Sequence, residues 1–451
     1  TDEDGVDIEV IRRLVASRLD QIPRYRQRLA TVPLEGHPVW VDDEYFHLDY
    51  HVRHIALPPP GTEDQLKSLV GRLMSQQLDR TRPLWELFVV EGLADGGFAI
   101  VSKIHHCMID GMSGIDLMAV ILDFTPDVTI EEPQPWTARP APNGTELAVK
   151  EVSRAVSNVI AGLGDVSVLL SDASNIAADW SHKVNAMAAS LASGWLTQTG
   201  KTPLNGPISG ARWFDWLELP LDEVKEIKNR HHATVNDVML ALVAGGVRDY
   251  LMTESGLEQD DLEAIEFRIM APVSVRTEDE RGTLGNKVAM WLMALPIAEE
   301  DPAKRIQAVA SETKNLKETD QALGASTLVQ VSTGAPATVV SLAARLASRV
   351  RPFNMTVTNV PGPQFPMYLA GSEMLATYPL VPLWQSHGAG VAMFSLNGRI
   401  DIGLNMDRTL IEHPHALGES LERSFKELLA SEPAAPKQKR KAKKAPPMGT
   451  R

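Results

Sequence analysis

Apolar residues recur at spacings of three and four in the stretch that follows a capping-box sequence, Thr62-Glu63-Asp64-Gln65. This pattern predicts an amphipathic helix over 62–79. Two β-prone runs come next, at 87–90 and 98–104, and a turn sequence containing Asp95-Gly96-Gly97 separates them. We therefore expect a β-hairpin after the helix.

Helical and extended patterns also alternate in the second half of the chain. A helix is predicted from Thr234 to about Tyr250. β-prone runs are found at 267–275, 287–295, 390–396 and 399–404. Asn397-Gly398 lies between the last two runs, and this dipeptide favours a type I′ hairpin. Because strands and helices alternate in both halves, the expected fold class is α/β or α+β.

A proline-rich stretch over 126–142 and a helix-prone stretch over 145–200 separate the two halves. They lead into the sequence Thr202-Pro203-Leu204-Asn205-Gly206-Pro207, and we interpret the whole region as a crossover. The predicted organisation is an N-terminal half-domain at 1–126, a linker at 127–207, a C-terminal half-domain at 208–432 and a tail at 433–451. The chain starts at Thr1 without a methionine, so a preceding segment is expected to be missing.

Composition limits the classes of function. With 44% hydrophobic and 23% charged residues, the 451-residue chain has an ordinary globular composition and is long enough for two or three domains. Acidic residues outnumber basic ones 58 to 44, and the net charge of −14 argues against general binding of nucleic acids. The single cysteine, Cys107, excludes an intramolecular disulfide and suits a reducing cytoplasm. Any membrane association is expected to be peripheral, because no apolar run approaches the roughly 18–20 residues of a membrane-spanning helix.

Basic residues cluster near the end of this acidic chain. The cluster consists of Lys437, Lys439, Arg440, Lys441, Lys443 and Lys444. A solvated, disordered tail is the expected structure. The alternative is adhesion to an anionic membrane or lipid-droplet surface, to which clustered lysine and arginine are attracted.

A pair of histidines follows the second predicted strand, in the sequence His105-His106-Cys107-Met108-Ile109-Asp110-Gly111. Helical spacing resumes after it, so this motif is predicted to lie on a strand-to-helix turn. Successive side chains on a strand point to opposite faces, so one histidine can face a cleft while the other supports it. A neutral imidazole can take a proton from a hydroxyl that attacks a thioester and return it to the leaving thiolate. The motif therefore favours direct acyl transfer, with Asp110 beside Gly111 as an anchor of the turn.

Three other interpretations of the motif stay open at this point. The histidines and Asp110 could be buried, hydrogen-bonded structure, which for an arbitrary pair is commoner than catalysis. His106 and Asp110 could bind a metal ion, although no second cluster of cysteine and histidine has a recognised ligand spacing. Cys107 could be a nucleophile, but the sequence contains no identifiable base for it. We therefore favour the interpretation that Cys107 is a buried apolar thiol.

The motif His-His-x-x-x-Asp-Gly at 105–111 resembles the signature of the coenzyme A-dependent acyltransferase superfamily. This superfamily includes chloramphenicol acetyltransferases, carnitine acyltransferases and the condensation domains of peptide synthetases. Further segments narrow the resemblance: Arg82-Pro83-Leu84-Trp85-Glu86, 202–207, Asn236-Asp237, Pro272-Val273-Ser274-Val275-Arg276, Gly285-Asn286 and Thr358-Asn359-Val360-Pro361-Gly362-Pro363. Together they resemble the bacterial wax ester synthase/diacylglycerol acyltransferase family over about 8–430, with only the opening strand of the family missing.

The resemblance implies two chloramphenicol-acetyltransferase-like half-domains that form a pseudo-dimer with a tunnel at their interface. Acyl-CoA would enter from one side and a hydrophobic alcohol from the other. By this analogy His106 is the general base. His105, Asp110 and Gly111 would support it, and Arg276 is a candidate ion-pair partner for Asp110.

The remaining segments have both a functional and a structural interpretation. Pro83, Leu84 and Trp85 match a motif associated with the substrate pocket, although a tryptophan beside leucine is more often plain core. Asn236 and Asp237 match a second motif that positions a helix or the acceptor, or Asp237 simply caps a helix together with Thr234. Thr358 and Asn359 would lie near the catalytic channel. No oxyanion donor can be named; a backbone amide or Asn359 could serve.

The expected function is the transfer of a long-chain acyl group from acyl-CoA to a fatty alcohol, diacylglycerol or both, without a metal or cofactor. The alternatives are a condensation-type acyltransferase that uses a carrier-protein thioester and a non-catalytic lipid-surface protein. The expected location is cytoplasmic, peripheral to the inner membrane or lipid droplets.

Overall fold

A computed structural model describes residues 7–31, 38–109, 117–127, 129–141, 199–274, 288–318 and 352–433. Asp110, Gly111, Arg276, most of the predicted linker and the basic cluster at 437–444 lie outside these residues. The predicted boundaries of the half-domains therefore stay predictions. No helix in the described part of the chain is long and apolar enough to cross a membrane.

The first elements of the chain are a helix, a ribbon of two antiparallel strands and a single helical turn. They are α1 (Ile8–Arg18), a 3-10 turn (Pro23–Arg26), β1 (Gln27–Thr31), β2 (Pro38–Asp42) and α2 (Leu48–His51). The side chain of Asp7 caps α1 by accepting a hydrogen bond from the Glu9 amide at 2.8 Å. The apolar face of α1 joins the core of the N-terminal half.

A three-stranded sheet carries the histidine motif. Its strands are β3 (Val52–Ala56), β4 (Trp85–Glu91) and β5 (Ala99–Ile104), and α3 (Glu63–Ser75) connects the first two. β3 is parallel to β4, and β4 is antiparallel to β5. Two short helices, α4 (His106–Ile109) and α5 (Leu117–Ile121), follow β5. The predicted hairpin is confirmed.

The capping box predicted at the start of α3 is present, with reciprocal bonds between Thr62 and Gln65. The helix ends at Ser75, four residues before the predicted end at 79. At this position the Ser75 hydroxyl donates to the Gly71 carbonyl and accepts a hydrogen bond from the Arg212 amide at 2.8 Å. A contact with a distant strand therefore accompanies the end of the helix.

The C-terminal half is built on a six-stranded mixed sheet covered by helices. Its elements are β6 (Arg212–Pro220), α6 (Leu221–Arg230), α7 (Val235–Thr253), α8 (Gln259–Ala264), β7 (Arg268–Ser274), β8 (Val288–Ala294), α9 (Pro302–Glu318), β9 (Met355–Pro361), β10 (Tyr368–Leu369), β11 (Ser372–Glu373), β12 (Ala389–Leu396), β13 (Arg399–Asp407) and α10 (Ala416–Ala430). The strand order in the large sheet is β6-β13-β12-β9-β7-β8. β9 is parallel to both β7 and β12.

Two local sequence signals set elements of this half. Asn397 and Gly398 have φ values of 42° and 84°, as a type I′ turn requires, and they join β12 to β13. Thr234 and Asp237 form a capping box at the start of α7. This helix extends past the predicted Tyr250 to Thr253 and is buried on most of its surface, because α9 and α10 both pack against it.

The two halves share a core where α3 packs against β6. Leu69, Val70 and Leu73 of α3 lie in one apolar cluster with Phe214 and Trp216 of β6. An ion pair joins the same two elements, from Lys67 Nζ to Asp215 Oδ1 at 2.6 Å, with Asp215 buried. The α/β (α+β) fold class is confirmed.

Candidate active site

The histidine motif lies on a strand-to-helix turn, as predicted. His105 follows the last residue of β5, and its amide donates to the Leu84 carbonyl at 2.9 Å, which extends the pairing with the β4 side by one residue. Helix α4 begins at His106. The His105 carbonyl accepts a hydrogen bond from the Met108 amide at 2.9 Å and so closes the turn.

The His105 imidazole forms a hydrogen bond within this turn. Its Nδ1 accepts a hydrogen bond from the Cys107 amide at 3.3 Å, so a neutral ring carries its proton on Nε2. Partial desolvation lowers the pKa of His105, and the positive charge of Arg80 lowers it further. His105 is therefore neutral near pH 7 and supports the turn by accepting a backbone hydrogen bond.

His106 differs from its neighbour in its surroundings. Its side chain is exposed, like that of His105, but no hydrogen bond or ion pair joins it to another residue in the described ranges. Asp110, Gly111 and Arg276, the predicted supporting residues, lie outside those ranges. Among the described residues, His105 is thus the ring of the pair that takes part in a structural hydrogen bond, and His106 is the ring that does not.

The predicted burial of Cys107 is wrong, because this thiol is exposed. In the short turn of α4 the side chains at 105–107 are exposed, and Met108 enters the core, at 5% exposure. Partial desolvation nevertheless raises the pKa of the Cys107 thiol. A protonated thiol is a poor nucleophile, which disfavours an acyl-cysteine intermediate.

Pro83, Leu84 and Trp85 lie directly beside the motif, since Leu84 bonds to His105. Leu84 and Trp85 are buried in the core of the N-terminal half. The indole Nε1 of Trp85 donates to the Tyr25 carbonyl at 2.8 Å. Trp85 thus occupies a core position, as the structural interpretation of this segment expects, and its contact with substrate stays a prediction.

A second group of predicted residues meets where α7 begins and β9 ends. The Asn359 side-chain amide donates to Asn236 Oδ1 at 3.4 Å, and Thr358 precedes Asn359 on β9. Asp237 is buried, caps α7 with Thr234, and accepts a hydrogen bond from the Thr313 hydroxyl at 2.7 Å. Within the described ranges no hydrogen bond or ion pair links this group to His105 or His106.

The sequence 202–207, which contributed to the family resemblance, ties distant segments together. Asn205 Nδ2 donates to the Asn354 carbonyl at 2.9 Å, and Asn354 Nδ2 donates back to Asn205 Oδ1 at 2.8 Å. The Thr202 hydroxyl also donates to Asn205 Oδ1. Since Asn354 directly precedes β9, this amide pair fixes the start of the strand that carries Asn359.

Sequence reasoning missed His51, at the end of α2. It is buried, at 1% exposure, and its Nδ1 lies 2.7 Å from the Trp85 carbonyl. Burial lowers the pKa of His51 to about 4; the charge of Asp43 raises the pKa, while those of Arg82 and Arg53 lower it. No motif or periodicity marks this residue, because its burial comes from tertiary packing.

Acidification is expected to destabilise the protein through His51. The folded-state pKa lies below the ordinary value of 6.5, so the unfolded chain takes up the proton first and stability is lost as the pH falls from 6.5 towards 4. Between about pH 7 and pH 4.5 the wild type should lose roughly 2 to 3 kcal/mol more than His51→Asn, which has no such proton to bind. Urea unfolding of both proteins at the two pH values measures the difference, and equal losses would contradict it.

Among the residues that the structure describes, no group of three or more His, Cys, Asp or Glu side chains is arranged to hold a metal ion.

Comparison with known proteins assigns the chain to a family. The family model of the wax ester synthase/diacylglycerol acyltransferase catalytic domain matches residues 1–239, and that of the WS/DGAT C-terminal domain matches 284–429. The chain belongs to the wax ester synthase/diacylglycerol acyltransferase family. It is therefore an acyltransferase, as the sequence predicted.

Individual relatives agree with membership of the wax ester synthase/diacylglycerol acyltransferase family. The probable diacylglycerol O-acyltransferase tgs1 of Mycobacterium tuberculosis is 33% identical over 434 residues, which cover 94% of this chain and 88% of the relative. The probable diacylglycerol O-acyltransferase tgs2 of the same species is 33% identical over 432 residues, covering 93% and 90%.

Solved structures show the same fold. The wax ester synthase/diacylglycerol acyltransferase of Marinobacter aquaeolei has a TM-score of 0.64 at 24% identity, covering 94% of this chain and 91% of that one. The first condensation domain of the calcium-dependent antibiotic synthetase has a TM-score of 0.53 at 16% identity, covering 96% and 90%. The predicted relationship to condensation domains is thus confirmed at the level of fold.

Proposed function

We propose that this acyltransferase moves a long-chain acyl group from acyl-CoA to the hydroxyl of diacylglycerol, a fatty alcohol or both, with His106 as the general base. The observation that supports the proposal is the difference in hydrogen bonding between the two histidines. His105 accepts the Cys107 amide within the turn, while the exposed His106 ring makes no hydrogen bond to another described residue.

The proposed step needs no covalent enzyme intermediate. A ring nitrogen of His106 takes the hydroxyl proton while the hydroxyl oxygen attacks the thioester carbonyl carbon. The C–S bond then breaks, and the protonated imidazole returns the proton to the leaving thiolate. The products are an ester and free coenzyme A, and His106 is neutral again.

The other predicted residues keep supporting roles in the proposal. Asp110 would anchor the turn that carries His106, with Gly111 beside it and Arg276 as the ion-pair partner of Asp110. Asn359, held by Asn236, is a candidate donor to the oxyanion. The two substrates would reach His106 through a tunnel between the half-domains.

Diacylglycerol is the first acceptor to test, because tgs1 and tgs2 are both named diacylglycerol O-acyltransferases. The purified chain is mixed with a long-chain acyl-CoA and either diacylglycerol or a fatty alcohol, and released thiol is followed together with the ester product. Release with at least one acceptor is expected. Release from an acyl carrier protein thioester but not from acyl-CoA would favour the condensation-type alternative, and no transfer from either donor would favour a non-catalytic lipid-surface protein.

Peripheral association with a membrane or lipid droplet is also part of the proposal. The basic cluster at 437–444 would supply the attraction to anionic lipid. Flotation with anionic vesicles is expected to bring up the full chain but not one shortened by residues 437–451. Equal flotation of both proteins would rule out the cluster as the attachment site.

A further inference from the structure

We propose that His51 is a positioning residue for the catalytic turn: its buried imidazole fixes the first residue of β4, and β4 fixes His105 and the adjoining His106. This inference rests on the proposed function in one respect only, namely that His106 is the base.

His51 is held rigidly in the core. Its ring is stacked between two aromatic rings, with centroid distances of 4.6 Å to Trp85 and 5.2 Å to Phe46 and interplanar angles of 16° and 18°. Because a carbonyl oxygen only accepts hydrogen bonds, the Nδ1 atom 2.7 Å from the Trp85 oxygen must carry the proton and donate it. The stack sets the plane of the imidazole, and this plane sets the direction of the hydrogen bond.

The sheet itself does not supply this donor. Pairing between β3 and β4 starts with Val52 opposite Leu87, two residues beyond Trp85. On its other side, Trp85 lies opposite Ile104 of β5. The His105 amide bonds to the Leu84 carbonyl, and hydrogen-bonded pairs alternate with non-hydrogen-bonded ones in an antiparallel ladder, so Trp85 and Ile104 form a non-hydrogen-bonded pair. The His51 side chain thus takes the place of a further residue of β3 and donates a hydrogen bond to the buried Trp85 carbonyl. Without His51 this carbonyl would have no donor, and the loss of the hydrogen bond would lower the stability of the protein and allow the end of β4 to shift.

The connection from His51 to the motif is short. Trp85 and Leu84 are consecutive residues, and the Leu84 carbonyl accepts the His105 amide at 2.9 Å. A displacement of Trp85 therefore moves the hydrogen-bond acceptor of His105 directly. The low pKa of His51, about 4, keeps its ring neutral near pH 7, so this donor arrangement does not change across the pH range of an assay.

The test compares His51→Leu, which fills similar space without a donor, with His51→Asn, whose amide nitrogen can take the position of Nδ1. The single cysteine provides a readout that needs no substrate, since the Cys107 amide bonds to His105 and its thiol is exposed. The labelling rate of Cys107 with a maleimide is measured on the folded full-length chain, far below its melting temperature. The kcat and KM for acyl-CoA are measured on the same samples.

In His51→Leu we expect the Cys107 labelling rate to change by about threefold or more, because thiol reactivity follows its surroundings. We expect kcat to fall about tenfold or more with a nearly unchanged KM, because small displacements of a catalytic group are costly. His51→Asn should stay close to wild type in both measurements. A merely structural role would lower the melting temperature without these changes.

The proposal is overturned if folded His51→Leu labels and turns over like wild type, or if His51→Asn loses as much activity as His51→Leu. Should His51→Leu fail to fold, Phe46→Leu takes its place, since it frees the imidazole plane while retaining the donor. An unchanged Cys107 rate in that variant would also overturn the proposal. If no protein releases coenzyme A but Cys107 labelling responds as expected, the proposed function fails and the positioning role stands.

Discussion

His106→Ala is expected to lower kcat for coenzyme A release by about 10² to 10⁴-fold, the range that a positioned general base contributes. The exposed His106 side chain makes no structural hydrogen bond to another described residue, so its removal should leave the free energy of unfolding within about 0.5 kcal/mol of wild type. Thiol release with diacylglycerol as acceptor measures the first effect, and urea unfolding measures the second.

His105→Asn is the matched control for this experiment. An asparagine oxygen can still accept the Cys107 amide, so the turn should persist and more activity should remain than in His106→Ala. Near-normal turnover of His106→Ala would remove this residue from the mechanism. A larger loss in His105→Asn than in His106→Ala would exchange the roles of the two histidines.

Trp85→Ala is expected to lower the free energy of unfolding by about 3 to 5 kcal/mol, the usual cost of truncating a large buried aromatic residue. Trp85 is fully buried, stacks on His51, and donates a hydrogen bond to the Tyr25 carbonyl. Truncation removes all of these contacts and leaves a cavity. Denaturant titration followed by circular dichroism measures the loss.

Trp384→Ala serves as the comparison, because Trp384 is 51% exposed and should cost no more than about 1 kcal/mol. The experiment also separates the two interpretations of the segment at 83–85. A folded Trp85→Ala protein with wild-type stability and a raised KM would place Trp85 in a substrate pocket. A large loss of stability would place it in the core.

The elements that were predicted from sequence are those that local chemistry determines. Examples are the capping boxes at Thr62 and Thr234 and the turn at Asn397-Gly398. Each of these features depends on residues that are close together in the sequence, so the local pattern is enough to predict it. The end of α3 at Ser75 was not predictable in this way. It coincides with a hydrogen bond to Arg212, more than a hundred residues later in the chain.

In the candidate site, too, local features could be predicted from the sequence and features set by tertiary contacts could not. The strand-to-helix turn of the histidines could be predicted from the order of the residues. Which of the two rings accepts a backbone hydrogen bond depends on the backbone geometry between His105 and Cys107. Asn236 and Asn359 come together through the pairing of β9 within the large sheet, which no local pattern encodes. The exposure of Cys107 and the burial of His51 are likewise tertiary properties.

The packing of α3 against β6 means that neither half of this protein should be soluble when produced alone. A fragment ending before residue 208 would present the apolar face of α3 to water, and the complementary fragment would present Phe214 and Trp216. In the latter fragment Asp215 would also lose its ion pair with Lys67 and keep its contacts with the Trp216 amide and the His415 ring. Attempts to dissect or recombine the halves should therefore exchange α3 and β6 together.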